Sequence, residues 1–229
     1  MRILSLFIFT IFFSLKSVGQ KGHSNFSFEI YKGNSYSKCI IKNPVWLMQS
    51  EDLALEKGGN FGFAINQRVV KDFWLGFGTQ FGTTSYSFNR VNPYDISSQK
   101  LFYNRTDFYQ KYSVEFEFLK KHNKFYYSAL VRPSSHFWLS SKTSVSDGSS
   151  RTYKVERGIL FHSIRPSMEA GVSIGRYIDK RDLLSIKLEG NYSYFMDVRK
   201  SQNIDKMNIK GYIWKIGIVK NFKPIFYNQ

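Results

Sequence analysis

The stretch FYQKYSVEFEFLK at residues 108–120 divides by parity into two chemically different faces. In an extended chain, successive side chains point to opposite sides. The apolar and aromatic face carries Phe108, Gln110, Tyr112, Val114, Phe116 and Phe118. The polar face carries Tyr109, Lys111, Ser113, Glu115 and Glu117. This pattern predicts an amphipathic β-strand, and a length of roughly ten residues is what a tilted strand needs to cross a bilayer.

Seven further segments show the same alternation: residues 25–36, 60–69, 73–88, 125–139, 165–178, 183–196 and 212–222. The links between segments also alternate. Short links are predicted at 70–72, 121–124 and 179–182, and long links at 37–59, 89–107, 140–161 and 197–211. Short turns at one end and long loops at the other are typical of transmembrane barrels with an even number of strands. The sequence therefore predicts an all-β fold, an eight-stranded antiparallel up-and-down transmembrane β-barrel.

Alternation alone does not decide which face lies inside the barrel. A secreted lipocalin-like barrel would place its apolar face in the core. An eight-stranded barrel, however, has an interior only just wide enough for side chains. The apolar faces are rich in Phe and Tyr, whereas the opposite faces are rich in Gly, Ser and Asn. We therefore expect the bulky aromatic face to point outward into lipid and the small and charged residues to line the lumen.

The predicted lumen contains charged residues of both signs. This predicted lumen charge network comprises Glu29, Arg68, Lys111, Glu115, Glu117, Arg132, Glu169, Lys187, Glu189 and Lys215. Opposite charges that pair across the bore offset most of the cost of desolvation. We interpret the network as a polar core that fills the barrel, and the alternative is a path for ions or solutes. Five glycines of the polar faces fit close packing in the bore: Gly76, Gly78, Gly82, Gly171 and Gly175.

The first twenty residues, MRILSLFIFTIFFSLKSVGQ, have the pattern of a secretory signal peptide. Arg2 is followed by an apolar core at 3–15 and by small residues before Gln20. A transmembrane anchor is the alternative, but this apolar run is shorter than the roughly 20 residues of a spanning helix. We expect a cleaved signal peptide at 1–19 and an outer-membrane β-barrel at 20–229.

Composition excludes several classes of site. Cys39 is the only cysteine, so the chain has neither an internal disulfide nor a cysteine-built metal site. The four histidines at 23, 122, 136 and 162 share no ligand spacing, so we predict no metal site and no cofactor.

The net charge of +16 comes from Lys and Arg spread along the chain without a basic block. An exported protein with this charge fits an anionic membrane surface better than nucleic acid.

The leader, the eight amphipathic strands and the alternating links resemble the small eight-stranded outer-membrane β-barrel family of the OmpA, OmpW and PorT-like kind. The Phe, Tyr, Asn and Lys bias is similar to members from Bacteroidota. The resemblance implies a multi-pass protein of the Gram-negative cell outer membrane, with outer-membrane lipid, lipopolysaccharide and the barrel assembly machinery as partners. Barrels of this family end in a strand of the form polar-x-Gly-x-x-aromatic-x-aromatic. Lys215, Gly217 and Phe222 fit this C-terminal assembly signal, whereas Lys220 occupies the place of the first aromatic and residues 226–227 are an alternative end.

Two features of the long links suggest surface contacts. Residues 44–48 form an apolar knot that includes Trp46, Leu47 and Met48. This knot either caps the barrel mouth or forms a patch for a protein partner. The third and fourth links carry cations suited to lipopolysaccharide phosphates, or simply to a solvated rim: Lys142, Arg151, Lys154, Arg157, Arg199, Lys200 and Lys206.

These observations favour a structural, adhesive or accessory role in the outer membrane through long extracellular loops. A narrow channel for small or hydrophobic solutes is the alternative, and a lipid A-modifying enzyme is the second alternative. Lipid-modifying barrels of this kind use His with Ser and an acidic residue. His136 and His162 each neighbour a serine, but adjacent side chains of a strand point apart and cannot form a dyad. We therefore predict no catalytic residue and no enzyme activity.

Overall fold

The computed structural model describes residues 26–42, 48–49, 55–91, 100–146, 152–154, 164–196 and 206–222. These residues form ten strands in chain order. The eight long strands are β1 (Phe26–Lys42), β3 (Glu56–Val70), β4 (Phe73–Val91), β5 (Lys100–His122), β6 (Phe125–Ser146), β8 (Ile164–Tyr177), β9 (Leu184–Phe195) and β10 (Lys206–Phe222). Two short strands, β2 (Met48–Gln49) and β7 (Thr152–Lys154), pair with β4 and β6. The predicted signal peptide at 1–19 lies outside the described residues.

The long strands form a closed antiparallel ring in the order β4, β3, β1, β10, β9, β8, β6, β5. Pairing of β5 with β4 completes the ring, and pairing of β1 with β10 joins its first and last strands. A closed ring leaves no strand edge unpaired. The predicted eight-stranded up-and-down barrel is therefore confirmed. Among the described residues, no helix has the length and apolar character that a membrane span requires.

Apart from residues 25, 178, 183 and 196, the eight predicted segments lie within the long strands, and most of the strands continue well beyond them. β5 begins at Lys100 rather than at residue 108, and β6 continues to Ser146 rather than ending at residue 139. The predicted long links were therefore too long. The extensions include sequences such as NRTD at 104–107, which is polar at every position and so has no alternation of hydrophobicity. These extensions are strands because their backbones pair with neighbouring strands, as Thr106 pairs with Ser85.

Three tight connections lie at one end of the barrel, which we call the short-turn end. They join β3 to β4, β5 to β6 and β8 to β9, at the positions predicted for short links. Asn123 and Asp182 have positive φ angles of 54° and 56° there. Asn and Asp tolerate this left-handed conformation better than other residues with a Cβ atom.

Each long strand places its two faces as the alternation predicted. In β5, the exposed fractions of Phe116 and Phe118 are 41% and 49%, whereas those of Glu115 and Glu117 are 2% and 4%. The outward residues of all eight long strands together form an apolar belt around the barrel. In β5, Phe116 and Phe118 therefore point away from the bore, whereas Glu115 and Glu117 point into it.

Glycines in the bore provide space for larger polar neighbours, and Gly175 shows this most directly. A Cβ atom at Gly175 would lie 2.0 Å from the Tyr126 ring, whose residue is 2% exposed. We expect Gly175→Ala to lower the free energy of unfolding by about 1–3 kcal/mol, because the buried ring has to move. Gly59→Ala is the matched control, since a Cβ there meets nothing within 4 Å. Urea unfolding in detergent micelles measures both, and equal stability of the two variants would contradict the expectation.

Candidate functional site in the barrel interior

Among the described residues, the bore contains equal numbers of buried cations and anions. Twelve charged residues in the described part of the chain are buried. The six cations are Arg105, Lys111, Arg132, Arg165, Lys187 and Lys215. The six anions are Glu29, Asp107, Glu115, Glu117, Glu169 and Glu189. Buried charges of this kind are tolerated only when they are paired and hydrogen-bonded.

Arg132 is the centre of this arrangement, because its guanidinium group contacts three carboxylates. Nε and Nη2 donate to Glu115 Oε2 at 2.9 and 2.7 Å. Nη1 donates to Glu169 Oε2 and to Glu189 Oε1, both at 2.9 Å. These groups come from β5, β6, β8 and β9, so the contacts tie together four neighbouring strands from inside. Charge-assisted hydrogen bonds with this geometry are stronger than neutral ones.

Three lysines complete the pairing around Arg132. Lys111 Nζ donates to Glu169 Oε1 at 2.5 Å, and Lys215 Nζ donates to Glu189 Oε1 at 3.0 Å. Lys187 Nζ lies 3.2 Å from Glu29 Oε2 and 3.1 Å from Glu117 Oε1. We call this group the central ion network: Glu29, Lys111, Glu115, Glu117, Arg132, Glu169, Lys187, Glu189 and Lys215. It contains nine of the ten residues predicted for the lumen.

Arg68, the tenth predicted residue, lies elsewhere. It is half-buried near the end of β3, and its Nε donates to the carbonyl oxygen of Lys71 at 2.8 Å. None of the ion pairs among the described residues includes it. Parity alone placed Arg68 with the inward residues of β3. So close to the strand end, however, a backbone carbonyl of the turn is within reach of its guanidinium group.

A second group of charges, which the sequence analysis missed, lies further from the short-turn end. Asp107 accepts hydrogen bonds from Arg105 Nε at 2.7 Å, from Arg165 Nη1 at 2.5 Å and from the Tyr86 hydroxyl at 2.9 Å. We call Arg105, Asp107 and Arg165 the outer ion cluster. Arg105 and Asp107 fall in the long link predicted at 89–107, although they continue the parity of Lys111. Extending the alternation of β5 by two inward positions before Tyr109 identifies both of them.

His136 also lies in the bore, next to the outer ion cluster. Its Nε2 lies 2.9 Å from Ser167 Oγ, and its ring packs between Tyr109 at 4.6 Å and Phe195 at 4.4 Å. Sequence parity placed His136 inward and separated it from Ser135, but it could not identify Ser167 on the neighbouring strand. Nδ1 of His136 has no hydrogen-bond partner among the described residues. The His–Ser contact therefore lacks the acidic group that orients the histidine in a catalytic triad.

Two small cavities lie on opposite sides of Arg132 along the bore. The cavity near the short-turn end has a volume of about 20 Å³ and is lined by residues that include Glu29, Glu117 and Lys187. The second, of about 10 Å³, is lined by residues that include His136 and Arg165. Beyond it, an apolar cluster packs inside the far end of the barrel: Cys39, Tyr86, Phe88, Tyr103, Phe195 and Ile209. Side chains therefore block the bore at two heights, at Arg132 and at this apolar cluster.

The predicted surface features are only partly described. Trp46 and Leu47 lie outside the described residues, and Met48 lies in β2, paired with Arg90. Of the predicted basic fringe, Lys142 is exposed, with its Nζ 5.9 Å from the centre of the Phe108 ring. Lys154 and Lys206 lie in strands β7 and β10, and the remaining members lie outside the described residues: Arg151, Arg157, Arg199 and Lys200.

The predicted C-terminal signal lies on β10, the last strand of the ring. Lys215 is buried in the central ion network, and a Cβ atom at Gly217 would lie 2.9 Å from Glu29 Oε1. Phe222 is 50% exposed and ends β10. The alternative end at 226–227 lies outside the described residues. The polar and small residues of the motif thus pack inside the barrel, and its aromatic residue points outward.

Comparisons with known proteins match solved structures at low sequence identity. No family model matches the sequence, and no curated protein matches it. Neisserial surface protein A is 11% identical, with a TM-score of 0.45, over 88% of this chain and 100% of that chain. OprG from Pseudomonas aeruginosa is 7% identical, with a TM-score of 0.46, over 90% of this chain and 100% of that chain.

Ail, the attachment invasion locus protein of Yersinia pestis, is 11% identical, with a TM-score of 0.40, over 88% of this chain and 100% of that chain. Strand number, antiparallel order and closure agree with the resemblance that the sequence pattern indicated. The similarity of the residue composition to members from Bacteroidota stays a prediction. The chain folds as a closed, eight-stranded antiparallel β-barrel.

Proposed function

We propose that the protein is an integral outer-membrane β-barrel with a closed bore, and that it acts as a structural, adhesive or accessory component through the segments at the end opposite the short turns. The observation that carries the proposal is the contact of Arg132 with three carboxylates across the bore. The outward apolar belt supports the membrane location.

The size of the exposed apolar belt favours a membrane location. Val172, Leu188 and Trp214 lie on the outer face of successive strands of the ring, and their exposed fractions are 65%, 53% and 62%. Thirty large hydrophobic residues in the described part of the chain are exposed to a similar extent. Water-soluble monomers rarely expose a continuous apolar surface of that size. A closed barrel also satisfies its backbone hydrogen bonds without water, as hydrocarbon requires.

The burial and pairing of the central ion network favour a closed bore. Arg132 is 3% exposed, and Lys111 and Glu169 are each 0% exposed. Separating these pairs to make an open path would leave charges without partners in an environment of low polarity, which is costly. The apolar cluster at the far end is a second obstacle to ions. This arrangement favours a filled barrel over a narrow channel.

The proposal includes no catalytic role. His136 and Ser167 are 2% and 4% exposed and lie inside the wall of the barrel, so lipid at the outer surface cannot reach their hydrogen-bonding atoms. The partners proposed instead are outer-membrane lipid around the belt, lipopolysaccharide near Lys142, the barrel assembly machinery at β10, and a protein partner at the long links.

Planar-bilayer recording tests the closed bore. We expect the folded full-length protein to give no stable conductance steps, because side chains fill the cross-section at Arg132. A matched variant, Arg132→Ala with Glu115→Ala, removes one cation and one anion from that level and should also give no steps, because the apolar cluster still closes the far end. A heat-modifiable gel shift verifies that both proteins are inserted and folded. Reproducible steps from the unmodified barrel would contradict the closed bore and favour the narrow channel.

A further inference from the structure

The short-turn end of the barrel carries a large excess of positive charge that the proposed function does not use. Within residues 68–74, 118–127, 174–184 and 218–222, eight cations are exposed. They are Lys71, Lys120, Lys121, Lys124, Arg176, Lys180, Arg181 and Lys220. The same segments contain three carboxylates, those of Asp72, Asp179 and Asp182. The net charge of these segments is therefore strongly positive.

Two of these carboxylates already have partners within the barrel. Asp182 accepts from Lys121 Nζ at 2.5 Å and from Lys124 Nζ at 2.8 Å, and these hydrogen bonds lower the pKa of its carboxyl group. Asp179 Oδ1 accepts from the backbone N–H groups of Leu183 and Leu184, both at 2.8 Å. These acids are therefore not available to neutralise the remaining cations.

Three of the remaining cations lie on the outer face of the barrel at the margin of the apolar belt. They are Lys120 on β5, Arg176 on β8 and Lys220 on β10, and none forms an ion pair with another described residue. The ring order β10, β9, β8, β6, β5 puts one intervening strand between successive cations. Since neighbouring strands are about 4.8 Å apart, the three charges form an arc with a spacing of roughly 10 Å.

Aromatic rings of the belt lie beside two of the three cations. Lys120 Nζ is 5.9 Å from the centre of the Phe118 ring, and Arg176 Cζ is 5.5 Å from the centre of the Phe125 ring. Phe118 and Phe125 are 49% and 40% exposed. An aromatic ring beside a cation suits the boundary between acyl chains and headgroups, because the ring contacts acyl chains and the cation contacts phosphates.

We propose that Lys120, Arg176 and Lys220 form a binding arc for anionic phospholipid headgroups of the membrane leaflet at the short-turn end. Each cation lies where a lipid phosphate meets the hydrocarbon boundary, and the adjacent rings contact the first part of the acyl chain. A basic side chain beside an anionic membrane surface contributes about fivefold in binding. This inference depends on the proposed membrane location of the belt.

Native mass spectrometry of the full-length barrel, released from micelles with equal amounts of phosphatidylglycerol and phosphatidylcholine, tests the arc. We expect the unmodified protein to retain phosphatidylglycerol in preference to phosphatidylcholine by fivefold or more. The triple variant Lys120→Gln, Arg176→Gln, Lys220→Gln is expected to retain the two lipids about equally. A control of equal charge change, Lys32→Gln, Lys57→Gln, Lys142→Gln, removes exposed cations away from the arc and should keep the preference.

A thermal unfolding series gives an independent measurement. Added phosphatidylglycerol should raise the unfolding midpoint in zwitterionic micelles for the unmodified protein and the control, but not for the triple variant. If the triple variant does not fold, each single variant should lose part of the shift. Equal retention of both lipids by the unmodified barrel would overturn the inference, as would an unchanged preference in the triple variant.

Two further outcomes separate the possible failures. Displacement of phosphatidylglycerol by excess inorganic phosphate would assign the arc to soluble phosphate and overturn the lipid inference. Failure of the barrel to insert into phospholipid vesicles would contradict the proposed function itself. Normal insertion without a preference for the anionic lipid would remove only the binding arc.

Discussion

Replacing Arg132 with methionine is expected to lower the free energy of unfolding by about 3–5 kcal/mol. Arg132 is buried, and its guanidinium group donates to Glu115, Glu169 and Glu189. Methionine fills a similar volume but leaves three carboxylates crowded together without their common cation. Their mutual repulsion and unmet hydrogen bonds, rather than a cavity, cause the loss. Urea unfolding in zwitterionic micelles, followed by Trp fluorescence, measures the change.

Two further variants separate this cause from a general loss of packing. Adding Glu115→Gln to Arg132→Met removes one of the crowded charges and should restore part of the stability. Arg181→Met changes an exposed arginine of the β8–β9 turn and should alter the free energy of unfolding by about 0.5 kcal/mol or less. A loss below about 1 kcal/mol for Arg132→Met would mean that the carboxylates do not depend on this cation, and the central ion network would lose its assigned role.

Leu188→Arg is expected to destabilise the barrel in phospholipid vesicles by about 2–4 kcal/mol. Leu188 is 53% exposed in the middle of β9, between Ile174 and Ile216 on the neighbouring strands. In the proposed membrane this position lies deep in hydrocarbon, where a charged side chain is poorly solvated. In water the same substitution on an exposed surface would cost almost nothing. Unfolding by urea from vesicles therefore distinguishes a lipid-facing belt from a solvated one.

The control substitution places the same side chain at a different depth. Ile178 is 55% exposed and follows β8 at the short-turn end. Ile178→Arg should cost about 0–1 kcal/mol, because its guanidinium group reaches the headgroup region. Both variants should keep the heat-modifiable gel shift of a folded barrel. Equal effects at the two depths would contradict the membrane location of the belt.

Much of the architecture follows from local patterns. The eight amphipathic segments, the short turns and the inward position of residues such as Glu115 and Glu117 depend only on the parity of an extended chain. The space in the bore depends on small side chains, which the sequence also displays. These properties are local, so a single sequence is enough to predict them. Where hydrophobicity does not alternate, as at Arg105 and Asp107, the same reasoning ended the strand too early.

The pairing of charges required the closed ring. Lys111 and Glu169 are 58 positions apart in the sequence, as are Arg165 and Asp107, yet each pair shares a hydrogen bond. Parity shows that these side chains point inward, but it does not decide which cation pairs with which anion. Strand register and the tilt of the barrel decide which side chains lie at the same height. Arg68 has the parity of an inward residue, yet it bonds to the backbone of the turn and does not join the central ion network.

The sequence by itself thus determined the strand number, the orientation of the faces and the polar character of the bore, because these depend on residue type and on a period of two. Only the tertiary structure decided which carboxylates surround Arg132, where the bore is interrupted and that Ser167 is the neighbour of His136. Those contacts join residues from different strands. Their distances are set by register and closure, which no local pattern in this chain contains.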